Sequence, residues 1–168
     1  QDKIYYITAD SFGAAKSSPH LEVFRAKGIE VILLSDPIDE WLMGHLAEYE
    51  GLALHDVRRG ELDLGDLDNE DEQKAKAKLA EENQSLVERV KAALESQVED
   101  VRVTNRLTES PACLVVGEHD MGAQMRRIME AAGQSLPDSK PILELNPEHP
   151  LVIKLEAETA DQRFADLS

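Results

Sequence analysis

A chain of 168 residues is long enough for one ordinary domain or two small ones. It is 42% hydrophobic but only 4% aromatic, so its core must be mostly aliphatic. With 34 acids against 18 Lys and Arg, its formal net charge of −16 repels phosphate and argues against nucleic acid and anionic membrane surfaces as partners.

The first third alternates strand and helix. Lys3 to Thr8 is apolar and β-rich, and a short helix is expected from Ser11 to Lys16. Ser18-Pro19 reads as a helix start, with Ser18 as cap and Pro19 in the first helical position. Leu21, Val23 and Phe24 supply the inner face, and Gly28 ends the helix. Ile29 to Leu34 is a nearly continuous apolar run, suited to a strand covered on both faces. Ser35-Asp36-Pro37 opens a further helix with Ile38, Trp41, Leu42, His45 and Leu46, closed by Gly51. Leu52 to Val57 is the third strand. The order strand, helix, strand, helix, strand predicts a small three-stranded parallel sheet in an αβα subdomain, over residues 1–59.

Composition changes at Gly60. The segment 60–72 holds seven acids and no base, which predicts a solvated linker. One long linker helix is expected from Gln73 to about Ser96, with Leu79, Leu86, Val90 and Leu94 as its apolar stripe. The remainder of 73–168 predicts an α+β domain with a small, mostly antiparallel sheet. Its strands are Val98 to Thr104, Ala112 to Val116 and Ile142 to Leu145. Its helices run from about His119 to Ala132, and onward from an Asn146-Pro147 cap in a helix carrying Leu151, Val152 and Leu155. The chain opens within a strand-like run and closes within a helix-like pattern, so it reads as a piece of a longer protein.

Signals for catalysis are few. The nine glycines form no phosphate-cradling loop, and the five histidines have no metal-ligand spacing. Glu118-His119-Asp120 fits a helix N-terminus better than a catalytic dyad. The acidic segment lacks the calcium-loop pattern. Cys113, the single cysteine, lies in an apolar run and reads as a small buried hydrophobe in a reducing compartment. No run of about 18 apolar residues exists to span a membrane. Two features point to binding instead. Met121, Met125, Ile128 and Met129 fall on one helical face, and adaptable methionine faces recur on promiscuous binding surfaces. The alternative is an ordinary helix docked on its own sheet. Trp41, the only tryptophan, is an interaction anchor if exposed and a core residue if not.

Longer stretches carry a resemblance. Lys3-Ile4-Tyr5-Tyr6-Ile7-Thr8, Ser17-Ser18-Pro19-His20-Leu21-Glu22, Gly28-Ile29-Glu30-Val31 and Leu34-Ser35-Asp36-Pro37-Ile38-Asp39-Glu40-Trp41 resemble, in order and spacing, the end of the middle domain of the ninety-kilodalton heat-shock chaperones. Arg106-Leu107-Thr108-Glu109-Ser110-Pro111-Ala112 and Glu144-Leu145-Asn146-Pro147-Glu148-His149-Pro150-Leu151 resemble their C-terminal domain. The Trp after Asp-Glu is similar to the bacterial branch.

The resemblance implies a cytoplasmic, ATP-driven homodimer of three domains that holds unfolded or partly folded client proteins, with possible co-chaperones. ATP and magnesium belong to the parent's N-terminal domain and its catalytic arginine to the early middle domain, so this chain is expected to have no cofactor and no enzymatic activity. Client-binding positions carried over by motif are Glu40, Trp41, Met121, Met125, Ile128 and Met129. Gly44 departs from the polar residue expected at its position. Dimerisation in the family uses helices beyond Asp161 to Ser168, so the C-terminal domain is expected to stop before them. The competing expectation is a purely structural interdomain and dimerisation module without client contact.

Overall fold

The computed structural model describes residues 1–62, 64, 70–117, 120, 123–133, 139–160, 163–164 and 166. The chain divides into two compact units. The first comprises residues 1–60 and 116–139, the second residues 61–115 and 140–168. The break after Gly60 falls at the start of the acidic segment, but the division is not linear. Segment 116–139, expected with the second domain, makes its contacts in the first unit.

The first unit is built on β1 (Lys3–Thr8), β2 (Val31–Leu34), β3 (Glu48–Tyr49) and β4 (Leu52–Asp56), in the order β2-β1-β4-β3. β1 pairs in parallel with both β2 and β4, as the alternation predicts. A fourth strand was not expected: β3 pairs antiparallel with β4, so the sheet is mixed. Its cause is local. Glu50 and Gly51 both have positive φ (51° and 82°), the requirement of a tight two-residue hairpin turn. Gly51 therefore turns a hairpin rather than closing a helix.

Three short helical stretches follow the strands. Ser11 caps α1 (Phe12–Lys16), its hydroxyl accepting from the Ala14 amide at 3.2 Å. Ser18 caps a 3-10 turn, Pro19–Leu21, that leads into α2 (Glu22–Lys27). Gly28 ends α2 with φ 67°. α3 (Asp39–Met43) stops at Gly44. Tyr5, Ile7, Ala15 and Phe24 are fully buried, and Phe24 meets Tyr5 edge-on with centroids 5.0 Å apart.

The predicted long helix is two, α4 (Glu70–Glu82) and α5 (Gln84–Ala93). Asn83 separates them, its side-chain amide donating to the Leu79 carbonyl at 2.9 Å. That bond competes with the helical ladder. Leu86 and Val90 on α5 enter the core with Val98, Val101, Leu145, Val152 and Phe164. The second sheet contains β5 (Asp100–Val103), β6 (Ala112–Val115) and β7 (Ile142–Leu145), in the order β5-β7-β6. β7 is central, parallel to β5 and antiparallel to β6, so the sheet is half parallel rather than mostly antiparallel. Charge explains why β7 fits there. Glu144 on β7 lies in register between Arg102 and Cys113, 2.7 Å from the Arg102 guanidinium and 2.9 Å from that of Arg106. Arg106 is fully buried.

Two further expectations shift. α7 (Pro150–Glu156) begins later than Asn146-Pro147, because Asn146 forms a turn with the Glu148 amide and His149 provides the cap. Val152 is buried, but Leu151 is exposed. In the acidic segment, Leu62 and Leu64 are 2% and 0% exposed, so this stretch is anchored and not a purely solvated linker. Its positions 63 and 65–69 lie outside the described residues.

Candidate functional site

α3 reverses the usual order of side chains. Glu40 is buried at 8% exposure, whereas Trp41 and Leu42 stand 48% and 46% exposed. A buried acid and an exposed indole on adjacent residues are both informative, since folding alone favours the opposite. The Asp39 carboxylate accepts from the Asp36 amide at 2.8 Å, which fixes the entry into α3.

The exposed apolar surface continues along the chain. Ile38, Leu46, Tyr49 and Leu52 are also exposed, so segment 38–52 presents six large apolar side chains to solvent. Trp41 stacks at a tilt on His45, with ring centroids 4.5 Å apart, and the His45 Nδ1 lies 2.8 Å from the Trp41 carbonyl. That contact restrains the indole. A rigid, half-exposed aromatic with apolar neighbours is a docking anchor, because little side-chain entropy remains to be lost on binding.

α6 (Ala123–Ala131) lies against α3 within the first unit. It carries Met125, Ile128 and Met129, so the structure brings their helix to that of Glu40 and Trp41. Met129 is half-buried. Met121 and the side chains of Met125 and Ile128 lie outside the described residues. Several contacts among the described residues tie the α6 segment to this unit. The Val116 amide donates to the Arg58 carbonyl at 3.0 Å, and the Gly60 amide donates to the Val116 carbonyl at 3.0 Å. Arg127 pairs with Asp10 at 3.3 Å.

Behind Glu40 a polar recess of about 270 Å³ opens at the carboxyl ends of β1 and β4. Its lining includes Tyr6, Thr8, Glu40, Asp56 and Arg59. Arg58 holds Asp56 through both carboxylate oxygens, at 3.0 and 2.8 Å, and Arg59 approaches the same group at 3.4 Å. Arg59 also donates to the Asp120 carbonyl. Burial pushes the Asp56 carboxyl up, but the Arg58 hydrogen bonds and the two cations more than offset it and hold it below the usual carboxylate range. Burial, together with the Asp56 charge, pushes the Tyr6 phenol up and keeps it neutral at physiological pH. Sequence reading missed this recess. Its parts are scattered over residues 6 to 59, and their spacing marks no shared site.

A larger, apolar recess of about 440 Å³ lies in the second unit between α4, α5 and β5. The one cation among its described lining residues, Arg102, is already engaged by Glu144. Cys113 is buried as expected, and among the described residues no cluster of side chains has metal-ligand geometry. No helix among the described residues is long and apolar enough to cross a membrane. Compared with known families, residues 1–166 match the model described as Hsp90 protein.

Proposed function

The chain belongs to the Hsp90 family, and from that premise we propose that it is a client-holding segment of a bacterial-branch chaperone. Glu40, Trp41, Met121, Met125, Ile128 and Met129 form its contact surface. The observation that carries this reading is the exposed indole of Trp41 on a helix packed against α6. Apolar patches of a non-native polypeptide bury against Trp41, Leu42 and the methionines, each contributing roughly 25 cal/mol per Å² removed from water. Methionine repacks around differing partners, so the surface tolerates varied client sequences at modest affinity.

In this reading the segment spans the end of the middle domain, an acidic connection and part of a C-terminal domain, and it contributes to the parent's homodimer. ATP binding, magnesium and hydrolysis reside elsewhere in the parent, which acts in the cytoplasm with co-chaperones. This chain supplies surface rather than chemistry. Trp41→Arg combined with Met125→Ser in the parent protein is expected to weaken binding of a permanently unfolded polypeptide at least tenfold. Unchanged affinity, with an unchanged circular dichroism spectrum, would leave only a structural module.

A further inference from the structure

Arg59 adjoins both helices of the proposed surface. It lines the same recess as Glu40, Met43 and Gly44 at α3. Its Nε lies 3.4 Å from the Asp56 carboxylate, and its Nη1 donates to the Asp120 carbonyl. Asp120 lies three residues before Ala123, where α6 begins. The guanidinium therefore reaches from the end of β4, beside α3, to the approach of the methionine helix. A planar fork suits such a two-ended grip, because separate nitrogens serve separate acceptors.

The Asp120 end of the grip is a built turn. The Asp120 amide donates to the Gly117 carbonyl at 3.1 Å, and the Ser139 hydroxyl donates to the Asp120 carboxylate at 2.7 Å. A Cβ at Gly117 would meet that carboxylate at 2.7 Å, so the turn closes on a residue without one. On the other side, Val116 pairs with Arg59 as an isolated parallel bridge, its amide and carbonyl bonded to Arg58 and Gly60. Asp56 is already held through both oxygens by Arg58, so the second arginine is not required to seat that carboxylate. The ion pair of α6 itself, Arg127 with Asp10, is exposed at both ends and contributes little.

We infer that Arg59 is a positioning residue of the client surface: it fixes the approach to α6 and so holds the methionine helix against α3. The inference rests on the client-holding reading and adds to it a residue that acts through α6 and not by touching the client. Fixing α6 beforehand leaves less order for the bound polypeptide to impose.

The test is a double-mutant cycle on the whole chain. The probe is reduced, S-carboxyamidomethylated ribonuclease A, a permanently unfolded basic polypeptide, and binding is read by the anisotropy of a fluorophore on it. Arg59→Met keeps the length of the side chain and removes both contacts. It is expected to weaken binding about fivefold in the unaltered chain, the cost of ordering one helix face on association. In a background of Met125→Ser with Met129→Ser it is expected to change nothing, because the face that Arg59 holds is already lost. Equal losses in both backgrounds, or no loss in the unaltered chain, overturn the inference and leave the client surface standing. Hydrogen exchange is followed in the same proteins. The α6 amides of Arg59→Met are expected to exchange about tenfold faster while β1 amides keep their protection. If the probe does not bind, or the double-serine chain binds it equally well, the client reading falls and exchange alone decides. Faster α6 exchange then retains Arg59 as the holder of α6, and unchanged exchange overturns it. If Arg59→Met strips protection from β1 as well, Gly117→Val takes its place with the same expectations, since it drives the Asp120 carboxylate from its turn and leaves the Asp56 pair intact.

Discussion

Two buried charge clusters set the stability of the two units through single residues. Asp56, 3% exposed, neutralises Arg58 in the first unit. Asp56→Asn strands that guanidinium and is expected to cost about 3 kcal/mol at neutral pH, measured by urea unfolding. The pH dependence follows from the direction of the shift. The folded-state pKa of Asp56 lies below its ordinary value of 3.8. The stabilisation is therefore complete above that pH and is lost as pH falls through the folded-state pKa. Stability measured from pH 7 down to acid should fall less steeply in Asp56→Asn than in the unaltered chain. In the second unit, Glu144 serves the fully buried Arg106 and the partly exposed Arg102. Glu144→Ala is expected to cost about 4 kcal/mol, whereas Arg102→Ala costs about 1 kcal/mol, because water can replace part of its contact. Equal costs would mean that the other interactions of Arg106 suffice to hold it.

At the scale of elements, sequence periodicity located most strands and helices but not their partners. β1, β2 and β4 were legible because apolar runs alternate with capped helices, and Gly28 and Ser11 act as their residue types predict. β3 was hidden, since two residues carry no period and only the turn geometry at Glu50-Gly51 creates it. The break at Asn83 was missed because asparagine is tolerated within helices until its amide turns back on the preceding carbonyl. The β5–β7 pairing was hidden because half-polar strands read alike in parallel and antiparallel partners. Trp41 was legible as a candidate, but burial of Glu40 was not, since a charged residue on a short helix reads as solvated. The acidic segment shows the same limit. Seven acids conceal that Leu62 and Leu64 are buried. Leu64→Ala is expected to cost about 3 kcal/mol in thermal or urea unfolding, as for other core leucines, where a solvated linker would register almost nothing.

In the whole molecule, the segment carrying the methionine helix leaves the second unit after Val115 and returns at Lys140. The two units are therefore interleaved in sequence, and residues 1–60 alone lack the Val116 ladder and the Arg59–Asp120 contact. The interleaving places α6 beside α3, two elements some 80 positions apart in the chain. On the proposed reading, the net charge of −16 favours basic clients, an attraction that weakens as salt shortens the screening length to about 8 Å at physiological ionic strength. Because the chain has a single tryptophan, the strip reports on itself. The most direct measurement is Trp41 emission and iodide quenching while a permanently unfolded polypeptide is added. A client seated on this strip shifts the emission to the blue and shields the indole from iodide, saturating with the bound fraction. A polypeptide that binds while Trp41 emission and quenching stay at their free values would contradict the account.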